Sequence, residues 1–540
     1  MNQGSPPTDG LNVSLTPAQA LELAAAMCRQ NAWEHAAGLC RAVLAAQPDA
    51  FEALNLLGVI ARRNGRMQEA QALFARVVAL KPDFADAHNN LGNALLDLGR
   101  AAEALRSHTR AVELDPRHAE AHNNRGNALR DLRRPAAALH SYDQALALRP
   151  QLAEVHNNRA NALRDLGHAG PACAGYARAL ALKPDYAEAH ANLGNALRDL
   201  GRHQEALQSY ERAIALEPQF ARAHLNLALC RLQLGDFARG CAGYEWRRKD
   251  AQHAELQRRF TRPLWLGRED IAGKTLLLHA EQGYGDVLQF CRYAQSVAGR
   301  GARVVLEVHK PLVALLQGLP GVQRVLARGE RLPAHDLQCP LMSLPYALGT
   351  TPQDIPAPPR LQVPAAVLQA WRSRLDAQSG AQAGPPTGPR IGLAWSGNPT
   401  HVDDRRRSIA LRQFAPALTG LGRCYSLQRE VREDDVEALA AHPGLRHFGP
   451  ALADFTDTAA LCAMMDLVIC VDTAVAHLAG TLGREVWLLL PSNPDWRWLL
   501  AREDSPWYPG MRLFRQSAPG DWDGVLARVR AALAGRVRPR

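Results

Sequence analysis

The stretch ADAHNNLGNALLDLGRAAEALRSHTRAVELDPRH, residues 85–118, decides the fold of the first half of the chain. It is one copy of a repeated unit, because six prolines stand 34 residues apart at Pro48, Pro82, Pro116, Pro150, Pro184 and Pro218. This period predicts two helices joined by a turn in every copy, and stacked copies form a solenoid. Since a solenoid binds extended partners along its concave face, we expect any reaction to be carried by residues after the repeats.

The recurring residues are those of the tetratricopeptide repeat. Copies are predicted to begin at Pro17, Phe51, Ala85, Ala119, Ala153 and Ala187, with a seventh, decaying copy from Ala221. Small residues where the two helices meet recur at Gly58, Gly92, Gly126, Ala160, Gly194 and Ala228. The turn carries glycines suited to a left-handed helix end, at Gly65, Gly99, Gly167, Gly201 and Gly235. Four tyrosines at the same period are expected to fill the core: Tyr142, Tyr176, Tyr210 and Tyr244.

Polar residues also recur on the first helix of each copy. One asparagine row is Asn90, Asn124, Asn158, Asn192 and Asn226, and a second is Asn93, Asn127, Asn161 and Asn195. Asparagine is a poor mid-helix residue, but its amide both donates and accepts, so a ladder of amides can hold a peptide backbone. Hydrogen bonding between neighbouring repeats is the alternative. For the histidine row His88, His122, His156, His190 and His224 we favour packing between repeats.

The NLGNAL motif resembles the superhelical repeats of the eukaryotic O-GlcNAc transferases, over about residues 51–235. That resemblance implies that the first asparagine row grips an acceptor polypeptide.

From Lys274 onward the pattern becomes one of alternating strands and helices. Buried strands are predicted at TLLLH (275–279), RVVLEV (303–308), RIGLAW (390–395), CYSLQ (424–428), LVICVD (467–472) and VWLLL (486–490). Strand, glycine turn, helix and strand is the parallel βαβ pattern, so we expect two Rossmann-like domains with a ligand cleft between them.

Three loops after these strands supply candidate site residues. Gly283, Tyr284 and Gly285 could let a substrate approach the backbone, and Asp286 is either a catalytic carboxylate or a helix N-cap. The second loop contains Ser396, Gly397 and Asn398 and then Arg405, Arg406 and Arg407. These arginines suit a diphosphate, or they are a solvated run paired with Asp403 and Asp404. In the third, Asp472 and Thr473 precede a helix whose N-terminus attracts phosphate, and His477 lies on that helix, where it could reach the ligand or simply pack.

The motifs GDVL (285–288) and VDTAVAHLAG (471–480), with the polar and basic loop after Trp395, resemble the family 9 glycosyltransferases. This family is typified by the ADP-heptose:lipopolysaccharide heptosyltransferases, and the resemblance covers about residues 274–534. It implies a GT-B fold and an inverting, metal-independent transfer from a nucleotide sugar, with no further cofactor. It also implies that Asp286 is the general base. The basic loop and the Asp472, Thr473 and His477 set would then bind the donor.

The chain departs from that family at several positions. Arginines stand where the family usually has a lysine, Ala474 replaces the usual glycine, and the run PSNPDWRWLLAREDSPWYP (491–509) is not the usual donor-loop sequence. The Asp521-Trp522-Asp523 motif follows Pro519-Gly520 at a predicted helix start, so we expect it to cap that helix rather than bind a metal.

Composition indicates which ligands and which location to expect. The net charge of +10 suits anionic ligands, but the arginines are dispersed and no nucleic-acid module is recognisable, so we expect no nucleic-acid partner. Ten cysteines without a CxxC pair predict reduced thiols. The N-terminal residues do not form a signal peptide and no apolar run could span a membrane, so the predicted location is the cytoplasm.

The sequence therefore predicts a multidomain protein, an all-α solenoid followed by an α/β GT-B fold. The predicted segments are a disordered N-terminus (1–16), the repeats (17–250), a connector (251–273), an N-terminal Rossmann-like domain (274–376), a linker (377–389), a C-terminal donor-binding domain (390–534) and a basic tail (535–540). The favoured function is glycosyl transfer to a protein acceptor presented by the repeats. The alternatives are an assembly scaffold with a non-catalytic nucleotide-sugar domain, and a transferase acting on lipopolysaccharide or polysaccharide.

Overall fold

The first half of the protein is built of paired helices. The computed structural model describes residues 15–250, 258, 260–377, 388–401, 403–418 and 420–537. The helices of the repeats are α1 (Pro17–Arg29), α2 (Trp33–Ala46), α3 (Phe51–Arg63), α4 (Met67–Leu80), α5 (Ala85–Asp97), α6 (Ala101–Leu114), α7 (Ala119–Asp131), α8 (Pro135–Leu148), α9 (Ala153–Asp165), α10 (Ala169–Leu182), α11 (Ala187–Asp199), α12 (His203–Leu216), α13 (Ala221–Gln233) and α14 (Phe237–Tyr244). All seven predicted starting residues begin a helix, which confirms the helical solenoid.

The turn inside each repeat requires a left-handed residue. The five predicted turn glycines all have positive φ, between 72° and 85°. The two copies that lack a glycine at this position place Asn31 (φ 62°) and Arg133 (φ 59°) in the same conformation. The repeat geometry therefore overrides the steric cost of a side chain at this position, and glycine is the residue that fits it without strain.

The small residues of the first helix are required by rings on the second helix. A Cβ at Gly126 would lie 2.5 Å from Cε1 of Tyr142, and one at Gly92 would lie 2.5 Å from Cε1 of His108. Tyr142, Tyr176 and Tyr210 are fully buried. The prediction that these tyrosines fill the core is confirmed, and the ring sits where the glycine leaves room for it.

Contacts divide the chain into two compact units, Met1–Leu200 and Gly201–Arg540. The sequence had placed the boundary near residue 250, where the helical period ends. The division falls earlier because α13 and α14 share one apolar core with the α/β region: Leu225, Leu232, Phe237 and Tyr244 belong to the same cluster as Leu276.

The α/β region contains ten strands and eleven further helices among the described residues. The strands are β1 (Thr275–His279), β2 (Arg303–Val308), β3 (Val322–Ala327), β4 (Leu337–Pro340), β5 (Arg390–Ala394), β6 (Arg423–Ser426), β7 (Leu445–His447), β8 (Leu467–Val471), β9 (Val486–Leu490) and β10 (Met511–Arg515). The helices are α15 (Tyr284–Phe290), α16 (Tyr293–Ala298), α17 (Val313–Leu316), α18 (Leu344–Ala347), α19 (Ala365–Ala377), α20 (Asp404–Arg407), α21 (Leu411–Leu418), α22 (Glu433–Ala440), α23 (Phe455–Ala463), α24 (Ala474–Thr481) and α25 (Trp522–Val537).

The strands form two parallel sheets. The first has the order β3-β2-β1-β4, and the second has the order β10-β9-β8-β5-β6-β7. In the register, Leu277 lies opposite Val305 and Leu393 lies opposite Ile469. The strands are nearly continuous runs of buried apolar residues, as parallel sheets covered on both faces require. All six predicted strands are present, within two residues at either end.

Four strands were not predicted, and each has a weak signal. β3 carries two exposed polar residues, β4 ends in Pro340, β7 has only three residues, and β10 contains two arginines among its five residues. The predictions for residues 1–16, 251–273, 377–389 and 535–540 fall largely or partly outside the described residues. Within the described part of the last segment, α25 continues to Val537.

Candidate functional site

The candidate site residues of the α/β region lie at the carboxyl ends of the parallel strands. The loop after β1 leads into α15, the loop after β5 leads into α20, and β8 leads directly into α24. The carboxyl ends of parallel strands meet at one edge of a sheet, where ligands of α/β folds bind. The helices that follow from the two sheets, α15 and α24, contact each other, which brings the first and third predicted loops together.

Asp286 lies at the third position of α15, not at its N-cap. The N-cap is Gly283, whose N–H donates to Asp286 Oδ2 at 2.9 Å. The capping alternative is therefore corrected in position: the carboxylate binds the N-cap backbone from inside the first turn. The second carboxylate oxygen, Oδ1, accepts from Arg497 Nη2 at 2.5 Å. Burial raises the pKa of Asp286, and the charge of Arg497 opposes that rise.

Arg497 was missed by the sequence analysis. It follows β9 and is buried, and it donates from Nη1 to Asp495 Oδ1 at 2.9 Å and from Nε to Gln289 Oε1 at 2.7 Å. Its guanidinium also lies 4.9 Å from the ring centre of Trp496. Its only sequence signal was its location in the run 491–509, which differs from the glycosyltransferases that the neighbouring motifs resemble, and nothing in the spacing connects it with Asp286.

His477 brings the third loop against the first. A Cβ at Gly285 would lie 2.9 Å from His477 Cδ2, so only glycine leaves room for the imidazole here. His477 Nδ1 lies 3.0 Å from Tyr508 Oη, its Nε2 lies 4.0 Å from Asp472 Oδ1, and its ring stacks on Trp498 with centroids 5.3 Å apart. The predicted donor residues Asp472 and His477 are thus next to the glycine loop that carries Asp286.

Burial, together with the neighbouring charges, shifts the pKa values of Asp472 and His477. Burial raises the pKa of Asp472 to about 6, with Asp495 adding to the rise and Arg407 and Arg497 opposing it. Burial and the charge of Arg497 hold the pKa of His477 well below its ordinary value. At neutral pH the site therefore contains a neutral imidazole and an aspartate that is easily protonated.

The three consecutive arginines have different surroundings. Arg405 and Arg406 are exposed, whereas Arg407 is half-buried and a Cβ at Gly397 would lie 2.8 Å from its Nη2. Asp404, predicted as an alternative partner of these arginines, is buried and instead accepts from Arg432 Nη2 at 2.6 Å. Only Arg407 of the three faces the predicted binding loop.

Ser396 binds a residue that follows β6, and Asn398 binds within its own loop. Gln428 Oε1 accepts from the Ser396 N–H at 2.9 Å, and its Nε2 donates to Ser396 Oγ at 3.0 Å. Asn398 is exposed, and its Oδ1 accepts from the N–H of Thr400 at 3.0 Å. Ser396 is therefore held by the sheet, and the remaining Gly397–Asn398 backbone forms the accessible part of the loop.

Several buried donors at this sheet edge have no hydrogen-bond partner within the described residues. They lie at or after the ends of three strands, β5, β8 and β10: Arg407 Nε, Thr473 Oγ1, Arg515 Nη1 and Gln516 Nε2. Arg515 Nη2 donates to the Trp498 carbonyl at 2.6 Å, which places it beside the His477–Trp498 stack. Buried polar groups in proteins are normally satisfied, so a set of unpaired donors at one edge needs an acceptor-rich ligand or another explanation.

The asparagines of the first row connect consecutive repeats. Each Nδ2 donates to the asparagine 35 residues earlier: Asn90 to Asn55 (3.1 Å), Asn124 to Asn89 (3.1 Å), Asn158 to Asn123 (3.1 Å) and Asn192 to Asn157 (3.0 Å). Asn226 occupies the same position in α13. This geometry is the inter-repeat alternative left open by the sequence, and the acceptor-binding role of this row stays a prediction.

The second asparagine row and the histidines bind inside the array. Tyr142 Oη donates to Asn127 Oδ1 at 2.8 Å, and Tyr176 Oη donates to Asn161 Oδ1 at 2.7 Å. Each recurring histidine lies with Nε2 between 2.9 and 3.1 Å from the carbonyl of the proline six residues earlier. Since a carbonyl only accepts, Nε2 carries the proton. The packing role of the histidines is confirmed.

The Asp521-Trp522-Asp523 motif caps α25, as expected. Asp521 Oδ1 accepts from the Gly524 N–H at 2.9 Å, and hydrogen bonds from Ser517 and Gly524 lower the pKa of Asp521. Asp523 Oδ1 accepts from Gln413 Nε2 at 2.8 Å. Across the described residues, no helix is both long and apolar enough to cross a bilayer.

Comparison with known proteins identifies the repeats. Tetratricopeptide-repeat family profiles match residues 21–83, 67–119, 89–153 and 176–208, and a TPR-repeat profile matches residues 194–235. The N-terminal region thus consists of tetratricopeptide repeats. Protein FlbA of Caulobacter vibrioides is 27% identical over 326 residues, which are 56% of this chain and 53% of that protein. The chain therefore matches about half the length of this curated relative.

Solved structures of tetratricopeptide proteins are similar to part of the chain. TTC0263 of Thermus thermophilus is 25% identical, covers 34% of this chain and 99% of its own, and has a TM-score of 0.30. PilW, a type IV pilus biogenesis factor, is 21% identical, with 39% and 98% coverage and a TM-score of 0.37. MamA is 24% identical, with 31% and 96% coverage and a TM-score of 0.28.

Proposed function

We propose that this protein is an inverting glycosyltransferase that moves a sugar from a nucleotide-sugar donor to a protein acceptor bound by its repeats. The α/β region would be a GT-B fold in which the second sheet binds the donor. The observation that carries the proposal is the set of unpaired buried donors that includes Arg407, Thr473 and Gln516 at one sheet edge of the described structure. A diphosphate offers many acceptor oxygens, which is what such a set lacks.

The strand order of the second sheet supports nucleotide binding. Renumbered from β5, the order β10-β9-β8-β5-β6-β7 becomes 6-5-4-1-2-3. This is the order of doubly wound dinucleotide-binding folds, whose ligands lie where the strand order reverses, between the first and fourth strands. In this sheet that place is between β5 and β8, and the loops that follow them carry Arg407 and Thr473.

In the proposed reaction, Asp286 removes the proton from an acceptor hydroxyl while the oxygen of that hydroxyl attacks the anomeric carbon of the donor. The bond from that carbon to the diphosphate breaks, and the leaving nucleoside diphosphate takes the bonding electrons. Arg407 and the N-terminus of α24 stabilise the negative charge that develops there, without requiring a metal ion. The charge of Arg497 favours the ionised form of Asp286 against the effect of burial, and the carboxylate oxygens still have lone pairs for a substrate proton.

The repeats would supply the acceptor. Tetratricopeptide arrays bind extended chains along the concave face, which suits a polypeptide better than a small molecule. The first asparagine row already binds neighbouring repeats. A peptide on this face would therefore bind the amide donors and acceptors that these hydrogen bonds do not use, together with other polar side chains.

Binding of nucleoside diphosphates tests the proposal. A saturating nucleoside diphosphate should raise the melting temperature of the full-length protein by mass action, and Arg407→Ala should weaken its affinity by about 1.5–3 kcal/mol. Arg412→Ala removes an exposed arginine of α21 as the matched control and should leave affinity unchanged. If no common nucleoside diphosphate shifts the melting temperature, the proposal is wrong.

A scaffold that binds a nucleotide sugar without transferring it is the second candidate. It is favoured by one observation, that both oxygens of Asp286 are already bonded, to Gly283 and Arg497. The two candidates predict the same binding result and differ in release of nucleoside diphosphate from the donor. Release by the native protein that is lost in Asp286→Asn supports the transferase, and binding without release supports the scaffold.

A further inference from the structure

We propose that the seventh repeat, made of α13, α14 and residues 245–248, is a structural component of the candidate active site. It holds in place both loops on which the Asp286–Arg497 ion pair depends. The inference rests on the proposed function, because it assigns to this repeat the positioning of that same site.

The first anchor is on the loop that carries Arg497. Gln233, the last residue of α13, is buried and donates from Nε2 to Asn493 Oδ1 at 2.8 Å and to the Pro494 carbonyl at 2.6 Å. Arg497 follows Pro494 by three residues. Two hydrogen bonds from one buried amide therefore fix the backbone immediately before the arginine.

Aromatic packing extends this anchor to the arginine itself. The ring of Phe237 lies 5.9 Å from that of Trp496 at an angle of 77°, and the ring of Tyr244 lies 6.5 Å from it. The guanidinium of Arg497 also contacts Trp496, at 4.9 Å from the ring centre. Trp496 thus contacts both the seventh repeat and the cation that pairs with Asp286.

The second anchor is on the loop before Asp286. Arg247 is buried and donates from Nη2 to Glu281 Oε2 at 2.7 Å, and Gln282 Nε2 donates to Tyr244 Oη at 3.2 Å. These two loop residues directly precede Gly283, which binds Asp286. A buried ion pair is costly to break, so it fixes the loop geometry more firmly than an exposed one.

Two of the residues that make these contacts, Gln233 and Phe237, differ from the residues at the same position in the preceding repeats, whereas Tyr244 keeps the recurring tyrosine. The position of Gln233 is aspartate in four earlier repeats, at Asp97, Asp131, Asp165 and Asp199. The position of Phe237 is small or polar in the four preceding repeats, at Ala101, Pro135, Ala169 and His203, and is a large apolar residue only in the first two, at Trp33 and Met67. Simple copying of the unit does not explain these residues, whereas contact with the α/β loops does.

Hydrogen–deuterium exchange and nucleoside diphosphate affinity of the full-length protein test this role together. Gln233→Leu keeps the volume but removes both hydrogen bonds, and we expect amide exchange in residues 493–498 to rise about tenfold. Tyr244→Phe is the milder variant and should raise exchange in residues 281–286 about fivefold. We expect nucleoside diphosphate binding to weaken about tenfold in Gln233→Leu and about fivefold in Tyr244→Phe.

Tyr176→Phe is the matched control, because it removes the same hydroxyl from the same repeat position, where the partner is Asn161. It should change neither loop exchange nor affinity. If exchange of both loops in Gln233→Leu and Tyr244→Phe equals that of the native protein, the positioning role is wrong. Faster loop exchange in a native-like protein that binds no nucleoside diphosphate would instead support the anchoring and contradict the proposed function.

Discussion

The repeats before Leu200 and the α/β region use polar residues in opposite ways. In the repeats, asparagines bind asparagines 35 residues away, so the recurring polar groups satisfy one another at the period of the sequence. In the α/β region, Asp286 and Arg497 meet across 211 residues, and several buried donors remain unpaired within the described residues. Buried polar atoms without a partner also occur among the described residues of the repeats, for example Trp33 Nε1, His108 Nε2 and Arg198 Nε. The recurring polar rows therefore indicate structure here, and it is the group of unpaired donors at one sheet edge that indicates a binding site.

The strongest test of this contrast is Asp286→Asn. The asparagine oxygen can still accept from the Gly283 N–H, so α15 should persist. Transfer should fall by about 10²–10⁴-fold, the usual contribution of a positioned base. Because Arg497 loses one of its two carboxylates, we also expect a loss of unfolding free energy on the order of 1–3 kcal/mol. Turnover and chemical denaturation of the variant measure both effects.

The acid limb of the pH–rate profile provides a second readout for the same residue. Burial raises the pKa of Asp286, so the acid limb of the native protein should lie at a higher pH than the ordinary pKa of an aspartate. The limb should disappear in Asp286→Asn. Near-native turnover in that variant would reduce Asp286 to a capping residue.

Within the repeats, the sharpest comparison is between two glycines. Gly126→Ala should cost about 1–3 kcal/mol of unfolding free energy, since its Cβ would lie 2.5 Å from the buried ring of Tyr142. Gly38 is also helical but has no atom within 4 Å of the new Cβ, so Gly38→Ala should stabilise the protein by about 0.5–1 kcal/mol. Equal effects of the two substitutions in urea denaturation would show that the ring does not require the glycine.

A substitution in the first asparagine row should cause a smaller loss of unfolding free energy. Asn124→Ala removes the bond donated to Asn89 and the one accepted from Asn123, and should cost about 1–2 kcal/mol despite the better helix propensity of alanine. Asn93→Ala, on the neighbouring first helix α5, is the control from the second asparagine row. If Asn124→Ala is as stable as the control but binds acceptor peptide worse, the row serves the ligand and not the array.

The smallest expected effect is the pH dependence of nucleoside diphosphate binding. The pKa of Asp472 is about 6, so protonation below that value removes a negative charge from the anion site. Affinity should therefore rise severalfold as the pH falls through that value. Asp472→Asn should lack this component, while ionisation of the phosphate affects both proteins equally. Parallel titration curves of the two proteins would contradict a role of Asp472 in binding.

The sequence predicted the repeats to the residue because copies of one unit must share one geometry. It also predicted the long buried strands, whose apolar runs are independent of their neighbours. The weak strands β3 and β7 form only because neighbouring strands pair with them, and the strand propensity of their own residues does not indicate that pairing. The same reason explains why Arg407 could not be distinguished from Arg405, since their difference in burial arises from packing against Gly397.

Contacts distant in sequence were not predictable. Arg497 meets Asp286, and Gln233 meets Pro494, only because the two sheets and the seventh repeat share one apolar core. In a single sequence, nothing indicates that two residues 211 positions apart are in contact. The sequence signal that did exist was a departure from a pattern. Residues 233 and 237 differ from the preceding repeats, and residues 491–509 differ from the glycosyltransferases that the neighbouring motifs resemble, at the places where the structure makes these contacts.

Transfer of a sugar to protein is the most direct test of the central claim. Intact-mass and glycan analysis should compare proteins from cells that contain the native chain, cells that lack it, and cells with Asp286→Asn. We predict that at least one protein carries a sugar mass increment only with the native chain. Identical glycan masses in all three samples would contradict the proposal that this protein is a protein glycosyltransferase.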